Sequence, residues 1–190
     1  MVKSDLRQFD YKKVAKLDSA MWRAYYNHQF IRLFFLLLQL MRTQLRFNWY
    51  LTAKLAYFSG LAAADYRLKR GREDYKKTLA NLTKYYRILS KHSTEPFDYN
   101  EAARLELEWW DIHRYPKKCK KSLQTSLAEA AAVIYSVKPS TLTEYAKYRA
   151  EAMMIPSHQG DSQKIKPDWQ KVESLLIRSW RSLYQSVQPL

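Results

Sequence analysis

Glycine is nearly absent from this chain of 190 residues, which contains it only as Gly60, Gly71 and Gly160. The phosphate-binding loops of Rossmann and P-loop proteins need several glycines in a short window, because only glycine allows the tight turn and the close approach of backbone to phosphate. The turns of all-β sandwiches also use glycine freely. The three separated glycines therefore exclude both nucleotide-binding loops and argue against an all-β fold.

Apolar residues recur at helical spacing along nearly the whole sequence, and the helix-breaking residues fall between the periodic runs. This pattern predicts an all-α fold, a compact single-domain bundle of about six to seven helices. The predicted helices cover residues 19–46, 48–71, 72–91, 98–115, 117–136, 140–155 and 169–187.

The same pattern divides the chain into four parts. Residues 1–18 are predicted to form a charged N-terminal segment, residues 19–155 the core of the bundle and residues 156–167 a polar loop. Residues 168–190 are predicted to form an amphipathic C-terminal helix that packs on the bundle or on a partner. If this helix packs on a partner, the partner could be a second copy of the chain, bound through residues 169–187.

The compartment is predicted from cysteine use and from the most apolar segment. A single cysteine, Cys119, excludes an internal disulfide and a cysteine-based zinc cluster, and it fits a reducing compartment. The N-terminal sequence lacks the apolar stretch of a signal peptide. Residues 30–41 are shorter than the roughly 20 apolar residues of a membrane span. We therefore expect no transmembrane segment, and the cytoplasm is the expected compartment.

The apolar stretch at residues 30–41 also suggests which helix is central. Apolar residues surround this part of the first predicted helix on every side, so we expect it to be buried in the middle of the bundle. A buried guanidinium requires a carboxylate, because an unpaired buried charge is very costly. We therefore predict that Arg32 pairs with Glu106 or Glu108, which would join the first and fourth predicted helices.

The fourth predicted helix carries two ionisable side chains at the edge of its apolar face, Glu106 and His113. Seven residues separate them, about 10.5 Å along the axis, so they do not share a metal ion. No Glu-x-x-His motif occurs in the chain, and we predict no metal and no cofactor. His113 could act as a general acid or base. The alternative is that both residues only form hydrogen bonds to other helices.

Three sets of residues are candidates for a site. The candidate catalytic residues are His113, Glu106, His28 and Arg149. The candidate ligand-binding residues are Trp109, Trp110, Tyr25 and Arg32. The candidate anion-binding residues, placed in the first turn of the fifth predicted helix, are Lys117, Lys118, Lys120 and Lys121. Ammonium groups and free backbone N–H groups would converge on an anion there, whereas a solvated turn is the simpler interpretation.

Basic residues outnumber acidic ones by 33 to 18, which gives a net charge of +15. Many of them cluster in residues 66–91, where a basic run covers residues 67–72. Such a patch supports nonspecific binding of nucleic acid or of an anionic lipid surface. No recognition-helix or RNA-binding motif accompanies the charge.

Three segments together resemble a family of bacterial all-helical proteins, with cyanobacteria as the suggested source. They are residues 22–26, residues 145–153 and the pattern Glu106-x-x-Trp109-Trp110-x-x-His113-Arg114. The resemblance covers roughly residues 20–185. It implies a helical fold and a bacterial source and transfers no catalytic role, since no activity is attached to the family.

The sequence favours a noncatalytic domain that binds a partner or a ligand, with homo-oligomer formation as one version. Two alternatives stay open. One is an enzyme or a small-ligand protein with its site between the first, fourth and sixth predicted helices. The other is nonspecific binding of nucleic acid or anionic lipid through the basic patches.

Overall fold

Helices supply the regular structure of the protein. The computed structural model describes residues 3–68, 74–157 and 167–188, and within them eight α-helices and two short 3-10 helices are present. The all-α class is confirmed, with one or two helices more than predicted. The α-helices are α1 (Tyr11–Tyr26), α2 (Phe30–Leu45), α3 (Trp49–Leu68), α4 (Lys76–His92), α5 (Tyr99–Arg114), α6 (Leu123–Tyr135), α7 (Thr143–Ser157) and α8 (Trp169–Val187).

The first predicted helix is in fact two helices. Asp10 begins α1 by accepting hydrogen bonds from the backbone N–H groups of Lys12 and Lys13, so the helix starts well before Ser19. At the other end His28 has a φ of 56°, in the left-handed region, and the chain turns back so that α2 packs against α1. No glycine or proline marks this turn, which is why the periodic pattern hid it.

The helix starts in the second half of the chain follow their caps. Asp98 begins α5 as predicted, accepting from the backbone N–H groups of Asn100 and Glu101. Pro116–Lys118 forms a 3-10 helix, and Ser122 then caps α6 at Leu123, so the predicted start at residue 117 is wrong. Most of the predicted polar loop, residues 156–167, and most of the basic run, residues 67–72, lie outside the described residues.

The eight helices close into a ring. Each α-helix packs against its neighbours in the sequence, and α8 packs against both α7 and α1. Aromatic side chains fill much of the interior, among them the buried Tyr86, Tyr135 and Tyr145. Part of the aromatic content of 15% is therefore used in the core.

The first and last helices of the described chain complete the ring through apolar contacts. The apolar face of α8, which includes Val172, Leu176 and Leu183, is buried against its own chain. That face is therefore occupied, and self-association through residues 169–187 stays a prediction without an exposed apolar face to support it.

The expectation that residues 30–41 form a central helix is wrong. Only Leu40, Met41 and Leu45 of α2 are buried, and Ile31 is 79% exposed. The helix lies on the outside of the ring because the turn at His28 folds it back over α1. Within the described residues no helix is long and apolar enough to cross a membrane.

Residues 3–10 lie across the end of the ring where the even-numbered helices terminate. The backbone N–H of Ser4 donates to the His92 carbonyl at the end of α4, and the Thr94 N–H donates back to the Ser4 carbonyl. The Ser4 hydroxyl donates to the carbonyl of Leu45 at the end of α2. One short segment thus ties two helix ends together.

Arg7 continues this closure to α6 and α8. Its guanidinium donates to the Tyr135 carbonyl at the end of α6 (3.0 Å) and pairs with the carboxylate of Glu95 (2.6 Å). The Gln188 side chain, just past α8, donates to the carbonyl of Arg7 (3.1 Å). A cation at a helix C-terminus is favoured by the helix dipole, so the charge of Arg7 contributes to folding.

We predict that Phe9 anchors this segment. It is 7% exposed and makes edge-to-face contacts with Trp180 (5.7 Å between ring centroids) and Tyr184 (5.5 Å). Phe9→Ala should lower the free energy of unfolding by about 3–5 kcal/mol, measured by urea denaturation. The exposed Lys12→Ala serves as a control and should stay within about 0.5 kcal/mol of wild type. A Phe9→Ala protein as stable as that control would contradict the anchoring role.

Candidate functional site

The carboxylate of Glu106 is held by three hydrogen-bond donors. The indole N–H groups of Trp109 and Trp110 donate to it at 2.7 and 2.9 Å, and the hydroxyl of Tyr86 on α4 donates at 3.1 Å. Spacings of three and four residues put both indoles on the Glu106 side of α5. Burial raises the pKa of Glu106, and the three donors lower it without cancelling the increase.

Arg149 on α7 forms a second polar contact inside the ring. Its guanidinium pairs with the carboxylate of Asp18 on α1 at 2.8 Å and lies 5.4 and 5.5 Å from the ring centroids of Trp22 and Trp180. The Trp180 indole N–H on α8 donates to the same carboxylate at 2.8 Å. Asp18 is 1% exposed, so this ion pair joins three helices in the core.

The two contacts belong to one region, which we call the interior polar cluster and define as Asp18, Glu106, Tyr145 and Arg149. Arg149 lowers the pKa of Glu106 through their Coulomb interaction, although burial still dominates the shift. Burial raises the pKa of Tyr145, which also senses Asp18, Glu106 and Arg149. Two predicted site residues, Glu106 on α5 and Arg149 on α7, therefore interact through their charges, while each forms its hydrogen bonds with other residues.

The two predicted histidines differ in burial and in their contacts. His113 hydrogen-bonds with the backbone of Met153 on α7; burial lowers its pKa below the usual 6.5 although that hydrogen bond raises it. His28 is exposed in the turn between α1 and α2, with its ring centroid 6.0 Å from that of Phe30. His28 is thus not brought to the interior polar cluster.

The predicted pairing of Arg32 with Glu106 or Glu108 is wrong. Arg32 is exposed and its guanidinium donates to the side-chain oxygen of Gln29 at 3.3 Å. The turn at His28 is the physical reason, because it moves α2 to the outside of the ring. Tyr25, proposed as a ligand contact beside Trp109 and Trp110, is also exposed, at 47%.

The four candidate anion-binding lysines precede α6 instead of forming its first turn. Lys121 pairs with the carboxylates of Glu108 (2.5 Å) and Glu129 (2.7 Å), and the Lys118 ammonium lies 5.0 Å from the centroid of the Tyr115 ring. The lysines are therefore not in the first turn of α6, where their ammonium groups were predicted to bind an anion together with the free backbone N–H groups. Exposed Lys117 and Lys120 lie in the same segment.

An exposed apolar surface that the sequence does not predict is formed by the first two turns of α2 and by one side of α3. Helix α3 has two apolar stripes: one, including Leu51, Leu55 and Ala62, is buried, while Tyr50 and Leu68 on the other are 72% and 75% exposed. In the sequence, the signal for this surface is that apolar residues occur on two opposite sides of the predicted helix 48–71. We call the surface the α2–α3 face, formed by Phe30, Ile31, Phe34, Phe35, Trp49, Tyr50, Tyr57, Leu61 and Leu68.

The α2–α3 face is large for an uncovered surface. Its six aromatic side chains are between 48% and 72% exposed. At roughly 150–250 Å² for each whole side chain, they alone expose roughly 700 Å². The largest apolar patch of a typical monomer is about 300–600 Å² and often serves binding. The Arg67 guanidinium lies 5.6 Å from the centroid of the Phe30 ring, which places the end of α3 beside the start of α2.

Comparison with known protein families, with curated proteins and with solved structures finds no match to this chain. The resemblance to bacterial all-helical proteins therefore stays a prediction. Among the residues that the structure describes, no group of three or more His, Cys, Asp or Glu side chains is arranged to hold a metal ion. The interior polar cluster and the α2–α3 face are the two candidate sites of the described residues.

We predict that the ion pair of Asp18 and Arg149 is essential for stability. Asp18→Ala leaves a buried guanidinium without its carboxylate and should lower the free energy of unfolding by about 3–5 kcal/mol in urea denaturation. Asp18→Asn keeps an acceptor for the Trp180 indole and should lower the free energy of unfolding by less. Glu151→Ala removes an exposed carboxylate from α7 as a matched control. Equal stabilities for Asp18→Ala and Glu151→Ala would contradict the role of the pair.

We also predict that His113 makes stability depend on pH. Its pKa in the folded protein lies below 6.5, so between the two values the unfolded chain holds a proton that the folded chain lacks. Stability should therefore be fully present above pH 6.5 and fall as the pH drops below it. Glu106, with a raised pKa, acts with the opposite sign, but the difference between wild type and His113→Gln isolates the histidine. Parallel pH profiles of unfolding free energy would refute this assignment.

Proposed function

We propose that this chain is a noncatalytic binding domain whose interaction surface is the α2–α3 face. One observation carries the proposal: among the described residues, every exposed large apolar side chain except Tyr25 lies on α2 or α3. Scattered exposed apolar residues are normal, whereas a contiguous patch marks a surface that a partner covers. The lone free cysteine, Cys119, supports the further proposal of a cytoplasmic location.

The second apolar stripe of α3 supports this proposal because the fold does not use it. The buried stripe already packs α3 against its neighbours, and substitutions to polar residues on the outer stripe would leave those contacts intact. Exposed Tyr50 and Leu68 instead leave apolar surface in water, which is unfavourable. A binding function explains why a surface of this kind is present.

The interior polar cluster gives weaker support to an enzyme or a small-ligand site between α1, α5 and α7. Glu106 already accepts hydrogen bonds from three donors of its own chain, and Arg149 is paired with Asp18. His113 is bonded to the backbone of Met153. The contacts of Glu106 with Tyr86, of Arg149 with Asp18 and of His113 with Met153 join helices to one another, so the arrangement supports a structural role.

The proposal predicts that the α2–α3 face is covered inside cells. Hydroxyl-radical footprinting should label Phe35 and Tyr57 severalfold less in cells than in the purified protein. Tyr25, on α1 and of similar exposure, is the internal control and should be labelled equally in both settings. Equal labelling of Phe35, Tyr57 and Tyr25 in the two settings would remove the basis for a binding surface. This readout holds for any partner that is absent from the purified protein, whether that partner is protein, lipid or nucleic acid.

A further inference from the structure

We infer that the α2–α3 face docks on an anionic lipid surface, with the two helices lying on the bilayer and not crossing it. The inference rests on the proposed function, since it names the partner of the same face. An interfacial helix of this kind has an apolar side with aromatic residues and carries Lys and Arg near the lipid headgroups.

The apolar side comes from residues of the kinds that enter a membrane interface. Ile31 and Phe35 are one helical turn apart on α2, and Tyr57, Leu61 and Leu68 follow the outer side of α3. Because the opposite stripe of α3 is buried in the ring, only the outer stripe is available to lipid. Insertion is thereby limited to the roughly 5–10 Å typical of interfacial helices.

Cations accompany the aromatic rings of the face. The Arg42 guanidinium lies 4.5 Å from the centroid of the Trp49 ring, and the Lys54 ammonium lies 6.0 Å from that of Tyr50. Each pair combines a ring that sits at headgroup level with a charge that attracts lipid phosphate. The pairs therefore present the two chemical groups that an anionic membrane surface binds.

The charge of the α2–α3 face favours lipid over a second copy of the chain. Residues 30–68 contain five basic side chains, Arg32, Arg42, Arg46, Lys54 and Arg67. The single acidic residue in that range, Asp65, is only partly exposed and accepts a hydrogen bond from the Thr78 hydroxyl at 2.6 Å. A two-fold dimer through this face would bring like charges together, whereas anionic phosphates complement them.

Nucleic acid fits the face less well than lipid does. Aromatic rings stack on bases, but the aliphatic side chains Ile31, Leu61 and Leu68 offer no stacking plane, and they are 79%, 38% and 75% exposed. Lipid acyl chains, in contrast, accept aliphatic and aromatic side chains alike. The mixture of both types next to cations therefore points to a bilayer.

Vesicle co-sedimentation of the full chain tests the inference. The protein should bind vesicles of phosphatidylcholine mixed with phosphatidylglycerol, bind phosphatidylcholine alone much more weakly, and lose affinity as salt is added. The double variant Ile31→Ser with Phe35→Ser should bind at least about tenfold more weakly, because it removes two inserted apolar side chains. In the double variant Lys54→Glu with Arg67→Glu, the affinity for anionic vesicles should fall roughly fivefold or more for each cation.

Matched variants separate the face from general effects. Tyr25→Ser removes an exposed apolar side chain outside the face, and Lys171→Glu with Arg181→Glu reverses two exposed charges on α8. All of these proteins should keep the wild-type circular dichroism spectrum, and the controls should bind vesicles nearly as well as wild type. Failure of wild type to bind anionic vesicles, or equal binding by Ile31→Ser with Phe35→Ser, would overturn the inference.

Other outcomes assign the α2–α3 face to another partner. A dimer in size-exclusion light scattering that Ile31→Ser with Phe35→Ser dissociates, without vesicle binding, overturns the lipid inference in favour of a second copy. Binding of a single-stranded oligonucleotide that the same variant abolishes, without vesicle binding, overturns it in favour of nucleic acid. In the first case the dimer itself, and in the second case the protection of Phe35 and Tyr57 in cells, would leave the proposed function standing. Loss of that protection would instead refute the proposed function itself.

Discussion

The buried ion pair of Asp18 and Arg149 joins α1 to α7 and, through the indole of Trp180, to α8, at the place where the ring closes. Removing a carboxylate and a guanidinium from water costs more than their attraction returns unless further groups complete the site. Trp180 supplies a hydrogen bond, and the rings of Trp22 and Trp180 lie near the guanidinium. One oxygen of Asp18, Oδ1, has no hydrogen-bond partner among the described residues, so Arg149 is the main compensation for this buried charge.

Closing the ring determines what each helix has to bury. A helix in a ring needs one apolar stripe toward the interior and its neighbours, while its outer side faces solvent. The N-terminal segment, residues 3–10, covers one end by bonding to the ends of α2, α4 and α6. Interior stripes, end closure and the ion pair therefore account for the fold without any contribution from the outer side of α2 and α3.

Local sequence signals predicted part of this structure correctly. The all-helical class followed from periodicity, and the start of α5 followed from the Asp98 cap, because both depend on residues close together in the chain. The partner of Arg149 could not be found in that way, since Asp18 is 131 residues away. The break at His28 was equally hidden, because a histidine adopts a left-handed conformation there without any glycine to signal it.

The error over α2 shows what helical periodicity leaves undetermined. A helix that is apolar on all sides fits two situations, burial inside a protein or contact with something outside it. Burial, which the sequence predicts, requires a position surrounded by other helices. In the ring formed by the described residues, each α-helix instead packs against its sequence neighbours, and α2 has no such surrounding position. The apolar side chains at the start of α2 and on the outer side of α3 are therefore the exposed surface that the proposed function assigns to a partner.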